Sequence, residues 1–264
     1  MIVWAAPRVG KMNFISYSDC PISINGENFF ATRADLAAGA SISADRLMGN
    51  ELDYYAPGGP LVSKVSLDYF VTGQNERVLS LTGKSPCSGS FGGINFSGAY
   101  LVDYEVKIAP YAPIIVTSSF VVYSGYDQTL EESSFYSNGI SVANGAVVDL
   151  DNFNSSNLGF DNPISINYSI NCERIPNYVI GREFPQDVCL GSVNKSMQVV
   201  GEGIGGLISY SGREIAEISI TPNTINNISR GQTLSCSGVI RSQNLAVSKG
   251  GLVHGTIQIQ ENIR

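Results

Sequence analysis

A mainly β fold made of two tandem domains, with little helix, is what this sequence predicts. Two observations carry the prediction. The stretch Ile94-Asn-Phe-Ser-Gly-Ala-Tyr-Leu-Val-Asp-Tyr-Glu-Val-Lys-Ile-Ala-Pro recurs, altered, as Ile208-Ser-Tyr-Ser-Gly-Arg-Glu-Ile-Ala-Glu-Ile-Ser-Ile-Thr-Pro. In register, Ser97 and Gly98 fall on Ser211 and Gly212, and Asp103 falls on Glu217. Both stretches also alternate. Val102, Tyr104, Val106 and Ile108 should point one way and Asp103, Glu105 and Lys107 the other, and Ala216, Ile218 and Ile220 repeat the apolar face against Glu217, Ser219 and Thr221. A period of two marks a half-buried strand. Each stretch stops at a proline, which suits a strand end and not a strand centre.

Taken in order, residues 1–35 find no partner in the second half and read as an arm or edge. Within them Pro21-Ile-Ser-Ile-Asn-Gly looks like a short strand, and Ala31-Thr-Arg-Ala-Asp-Leu-Ala-Ala is the best helix candidate in the chain. The first domain spans 36–148. There Ser41-Ile-Ser-Ala-Asp-Arg-Leu-Met aligns with Ser165-Ile-Asn-Tyr-Ser-Ile-Asn-Cys, and Leu67, Tyr69 and Gly73 fall on Met197, Val199 and Gly203. Residues 74–93, with a Val78-Leu-Ser-Leu strand and a Gly/Ser turn, have almost no counterpart, so the second domain lacks a hairpin and the two sheets cannot be identical. An insertion at 126–139 is also private to the first copy. Ile140-Ser-Val-Ala-Asn-Gly-Ala-Val-Val then matches Leu245-Ala-Val-Ser-Lys-Gly-Gly-Leu-Val. Residues 149–161, rich in Asn and Ser, read as a linker to the second, shorter domain at 162–264.

Composition narrows the function. Charged residues make up 15% of the chain, against about 25% in ordinary globular domains. The formal charge is −7 with no run of Lys or Arg, which argues against a surface that grips phosphates. Acidity of this size usually serves solubility alone, and it would also suit a surface along which nucleic acid slides without sticking. The apolar run at the N-terminus is too short for a signal peptide, and no stretch approaches the roughly 18 apolar residues of a membrane span. Five cysteines, an odd number without CxxC spacing, read as free thiols made in a reducing cytosol.

Catalytic constellations are missing from the sequence, and no enzyme, metal or cofactor is expected. The single histidine, His254, cannot by itself build a metal centre or a Ser-His-Asp site. Gly201-Glu-Gly-Ile-Gly-Gly sits between strands with no helix to follow, so it reads as a β-connection and not a phosphate loop. Acid pairs such as Glu131-Glu132 or Asp149 with Asp151 read as solvated loop acids. Aromatics placed in loops, Tyr54-Tyr55, Tyr126 and Phe135-Tyr136, could anchor a protein interface.

The order Val65-Ser-Leu-Asp-Tyr-Phe-Val-Thr-Gly, Ile94-Asn-Phe-Ser-Gly-Ala-Tyr-Leu-Val-Asp-Tyr-Glu-Val, Ala109-Pro-Tyr-Ala-Pro-Ile-Ile-Val and Ser119-Phe-Val-Val-Tyr resembles the tube-type structural proteins of long-tailed bacteriophages. The resemblance implies tandem β-sandwich or half-barrel domains whose sheets join around a ring lining a DNA channel. It implies a homo-oligomer, either a trimer with pseudo-sixfold symmetry or a hexamer, with other tail proteins stacked above and below. DNA would pass through the lumen without specific binding, and the protein would be made in the host cytoplasm and end in the virion tail. No membrane is involved. Placed on this sequence, the lumen-facing acids are Asp68, Asp103, Glu105 and Glu217, and the stacking loop carries Tyr126, Leu130, Phe135 and Tyr136. A tube-like hub or baseplate component fits the missing hairpin as well as the tube itself. The alternative is a β-sandwich binding module, such as a capsid decoration, receptor-binding or adhesin protein.

Overall fold

A computed structural model describes residues 22–29, 31–39, 42–46, 53–57, 60, 62–70, 78–92, 94–109, 112, 114–126, 146–147, 153–156, 162–202, 215–220, 223–224, 233–247 and 253–263. The chain is mainly β, and every strand pairing among these residues is antiparallel. The strands are β1 (Ile22–Ile24), β2 (Glu27–Phe29), β3 (Ala31–Gly39), β4 (Ile42–Arg46), β5 (Asp53–Pro57), β6 (Val62–Phe70), β7 (Cys87–Phe91), β8 (Ile94–Ile108) and β9 (Ile115–Val122). They continue with β10 (Ala146–Val147), β11 (Phe153–Ser156), β12 (Asn162–Asn177), β13 (Asp187–Glu202), β14 (Ile215–Ile220), β15 (Asn223–Thr224), β16 (Leu234–Val247) and β17 (Val253–Ile263).

Thirteen of these strands form one sheet. Its main run is β3-β6-β9-β8-β12-β13-β17-β16-β14-β11, and β7, β1 and β2 branch from the start of β8. β8 is the junction. One of its edges carries β9 along residues 99–107, and the other carries β7 near its start and β12 along 103–108. The pairing of β8 with β12 carries the sheet across the segment expected to separate two domains. Residues 153–156 of that expected linker are themselves a strand, β11, on β14. The repeated neighbour relation is visible in part. β9 lies beside β8 as β16 lies beside β14, but β6 touches β9 while β17 stands between β13 and β16.

One hydrophobic cluster spans both halves, drawing on Leu67, Leu101, Tyr104 and Phe120 from the first and Met197, Ile218, Ile257 and Ile259 from the second. A sheet this wide buries so much of one face only by bending around a shared, sandwich-like interior. β14 alternates as the sequence predicts: Ala216, Ile218 and Ile220 are buried and Glu217 is exposed. β8 departs from its pattern at one residue. A bulge between Leu101 and Asp103 puts Leu101, not Val102, in the core. Val102 turns to the opposite face, where it joins Val121, Tyr123, Val188 and Tyr100 in a small second cluster. Gly98 takes a left-handed φ of 60° beside Ser124, a conformation glycine adopts without a Cβ penalty.

Two local expectations are corrected. Residues 31–39, the helix candidate, form strand β3 on β6, because a ladder from Arg33↔Asp68 to Gly39↔Val62 outweighs the weak helical bias of alanine. Residues 78–82 form a 3-10 turn, not a strand, with Val78 and Leu79 buried. The carbonyls of Leu81, Thr82 and Gly83 all accept from the guanidinium of Arg174 on β12, which also donates through Nε to Leu101 O at 2.9 Å. That guanidinium lies 5.5 Å from the Tyr100 ring centroid. Burial lowers its pKa, a desolvation cost that the ring of carbonyls offsets.

Among the described residues, Cys87, Cys172 and Cys236 are buried free thiols and Cys189 is an exposed one, and Cys20 lies outside them. Burial pushes Cys87 and Cys236 up to about 11. An alkylating reagent at pH 8 should therefore modify Cys189 and spare the three buried thiols until the protein is unfolded, a result peptide mass mapping reads directly. A thiol whose folded pKa lies above its unfolded value keeps its contribution below the unfolded value of 9.0 and loses it as pH climbs through about 11. Stability should hold up to pH 9 and decline above it. Equal labelling of Cys87, Cys172, Cys189 and Cys236 in the folded protein would contradict the burial.

Candidate functional site

Opposite the core the sheet carries a polar band that crosses both halves, bordered in the first half by Tyr100 and Val121 on one side and by Phe70 and Ile115 on the other. Cross-strand pairing stacks its side chains into rows. One row runs Asp68–Thr117–Glu105–Ser169–Ser196–Gln260 over β6, β9, β8, β12, β13 and β17. The next runs Ser66–Ser119–Asp103–Asn171–Asn194–Asn262 over the same strands. Neither row holds an aromatic side chain. The first half supplies carboxylates and hydroxyls, and the second supplies carboxamides and hydroxyls.

Each carboxylate in these rows is held by a neighbour. Thr117 Oγ1 donates to Asp68 Oδ1 at 2.7 Å, and Asn171 Nδ2 donates to Asp103 Oδ1 at 2.6 Å. Glu105 accepts from Asn167 Nδ2 at 3.0 Å and lies 3.4 Å from Lys107 Nζ. Both asparagines sit on β12 while the acids they bind sit on β8, so the polar face ties the two halves together as the core does. Elsewhere on it, Ser66 and Ser119 hydroxyls are 3.2 Å apart and Gln258 Nε2 donates to Ser196 Oγ at 3.4 Å. The Asn167 Oδ1 atom is buried without a protein partner.

The structure brings Asp68, Asp103 and Glu105 together on β6 and β8, with β9 between them. Glu217 is on the exposed side of β14, opposite Ser237 of β16, five strand positions from β8. It belongs to a distant part of the sheet and not to the same cluster. The amide half of the face escaped the sequence reading, although the alternation in Thr256-Ile-Gln-Ile-Gln-Glu-Asn carries the same period-two signal.

Tyr126 has a structural setting. It bridges to Phe96, packs against the core, and its hydroxyl lies 3.0 Å from Ala37 O and 2.9 Å from Lys64 O, pinning β3 to β6. Burial raises its pKa. Leu130, Phe135 and Tyr136 lie outside the described residues.

The arrangement offers a band of hydrogen-bonding groups with little net charge. Around the three acids, Asp35 adds one negative charge while Arg33, Lys64 and Lys107 return three positive ones. A surface of this kind supplies neither the cation density that captures phosphates nor the aromatic platforms on which bases stack. Among the described residues no helix is long and apolar enough to cross a membrane, and no group of three or more His, Cys, Asp or Glu is placed to hold a metal. Comparison with known proteins finds no family model that matches the chain and no curated protein that matches it, so the reading of the site rests on its geometry.

Proposed function

We propose that the protein is a structural component of a bacteriophage tail, a tube or tube-like hub, whose copies close into a ring with the polar face lining a DNA channel. The observation that carries this reading is the pair of polar rows that run unbroken from β6 to β17 and hold neither a positive charge nor an aromatic ring. DNA moving through a channel must be contained without being held, and such a lining does that. The sheet also ends in strands that pair on one side only among the described residues: β3 on β6, β11 on β14 and, at the end of the branch, β2 on β1. Open margins of this sort are completed by pairing with another chain or guarded against it. Head-to-tail pairing of copies removes them and generates a ring when the rotation closes. The resemblance to tail-tube proteins supports the same assignment, with a trimer or hexamer as the closed form.

Sedimentation velocity and negative-stain microscopy of the purified protein test the proposal. Rings with a central hole, or filaments of stacked rings, are expected. A monomer at all concentrations that is retained on a glycan surface would replace this reading with that of a binding module.

A further inference from the structure

The outer part of the β12–β13 hairpin stands clear of the main sheet. β12 pairs with β8 only as far as Asn171, and β13 pairs with β17 only from Val193. Beyond those points Arg174↔Leu190, Ile175↔Cys189, Pro176↔Val188 and Asn177↔Asp187 pair with one another, and with no third strand among the described residues. The apolar tip, Tyr178-Val-Ile-Gly-Arg-Glu-Phe-Pro, is closed by Arg182 N donating to Val179 O at 3.2 Å and Gln186 N donating to Asn177 O at 2.9 Å. A bulge separates this outer part from the rest. There Glu173 faces both Gly191 and Ser192, and its Oε2 accepts from Ser192 N at 3.1 Å and from Ser192 Oγ at 2.9 Å. Bulges bend the strand that carries them, so the hairpin has a hinge at its root.

The outer hairpin meets the first half in two places. Val188 joins the small cluster of Val121, Tyr123, Tyr100 and Val102, with the Phe184 ring beside Gly125. The other place is Arg174, whose guanidinium donates to Gly83 O at 2.7 Å, Leu101 O at 2.9 Å, Leu81 O at 3.3 Å and Thr82 O at 3.5 Å. Three of those acceptors belong to the end of the 3-10 turn at Val78–Thr82 and the residue after it. A 3-10 run of five residues is long for a geometry whose internal hydrogen bonds are poor. The turn therefore relies on a donor that the second half brings, and the hairpin relies on the same guanidinium for its attachment. We propose that residues 78–83 and 174–190 open and close as one unit, a strap and the turn it fastens, with Arg174 as the pin. When the hairpin swings away at the bulge, the turn loses its shape with it. Local opening of this kind runs through contiguous units and takes less free energy than unfolding the whole chain. The unit joins segments about ninety residues apart and is independent of any assembly into a ring.

Hydrogen exchange of the full chain at pH 7, read by peptide mass, tests the proposal. In the wild type the slowest amides of 78–83 and 174–190 should share one rate, faster than that of the β13–β17 ladder. Val188→Ser weakens the seat of the hairpin and removes no hydrogen bond of Arg174, yet exchange in both segments should rise by the same factor, about tenfold. Arg174→Lys should also raise the two together. A wild-type turn that exchanges as slowly as the β13–β17 ladder would show that it opens only with the whole chain, and would overturn the unit. So would a Val188→Ser protein in which the hairpin speeds up alone or neither segment changes, or an Arg174→Lys protein in which the turn speeds up alone.

Discussion

Replacing Arg174 with alanine should destabilise the protein by about 2–4 kcal/mol, judged from the worth of hydrogen bonds to a charged donor and the cost of stranding the buried Leu101 carbonyl. The guanidinium donates to the carbonyls of Leu81, Thr82, Gly83 and Leu101, and the Cys172 thiol also reaches Thr82 O at 3.9 Å. The two short bonds, to Gly83 O at 2.7 Å and Leu101 O at 2.9 Å, account for most of the effect. Loss of the contact with the Tyr100 ring adds a smaller part, on the order of 0.5–1 kcal/mol. Against a total stability of about 5–15 kcal/mol the change is large, and melting should fall by about 10 °C. Arg174→Lys should recover only a fraction, because one ammonium group cannot span the 3-10 turn and β8 together. Thermal and urea unfolding of the three proteins decide the matter. A melting point for Arg174→Ala within a degree or two of wild type would mean that the turn holds its shape without the guanidinium.

Reversing the charge of the polar face should turn a surface that DNA passes into one that DNA grips. Asp68→Lys, Asp103→Lys and Glu105→Lys each add two positive charges, moving the formal charge from −7 to −1 per chain. With three lysines each neutralising a phosphate, affinity should drop about 40-fold between 50 and 200 mM salt, from a slope near −0.9 per contact. The wild-type protein should show no comparable salt-sensitive binding. A control carrying Asp68→Asn, Asp103→Asn and Glu105→Gln removes the same carboxylates without adding positive charge. If the face lines a channel, the first variant retains DNA and slows ejection from assembled particles, and the control does not. Equal behaviour of the two variants would remove Asp68, Asp103 and Glu105 from that role. Lysine also breaks the bonds to Thr117, Asn171 and Asn167, so a melting curve accompanies the comparison.

How much of this was legible in the sequence varied with the range of the forces involved. The alternation in β8 and β14 is local, and it placed Tyr104, Val106, Ile218 and Ile220 correctly in the core. Val102 was misplaced because a bulge is a property of two paired strands, not of one. The residues of β3 carry a faint helical preference that a single neighbouring strand reverses. Val78-Leu-Ser-Leu reads as a strand until Arg174, more than ninety residues away from Gly83 and Leu81, supplies the donors that close it into a turn. The candidate acids followed from alternation alone, but which of them share a neighbourhood depends on strand order. Asp68 and Glu105 flank β9, whereas Glu217 belongs to β14. The carboxamide half of the face and the apolar hairpin tip were plain in composition and unreadable in position. Their meaning came from the pairing of β8 with β12.

That pairing also sets a timetable for synthesis. Asn167 is 62 residues beyond the Glu105 it holds. At roughly 5–20 residues per second, the ribosome needs about 3–12 seconds to deliver it. Throughout that interval the nascent first half presents the unzipped flank of its longest strand to every other polypeptide nearby. Until β12 arrives, that flank is open to pairing with a neighbouring nascent chain, a route to aggregation that closes only when the second half is made.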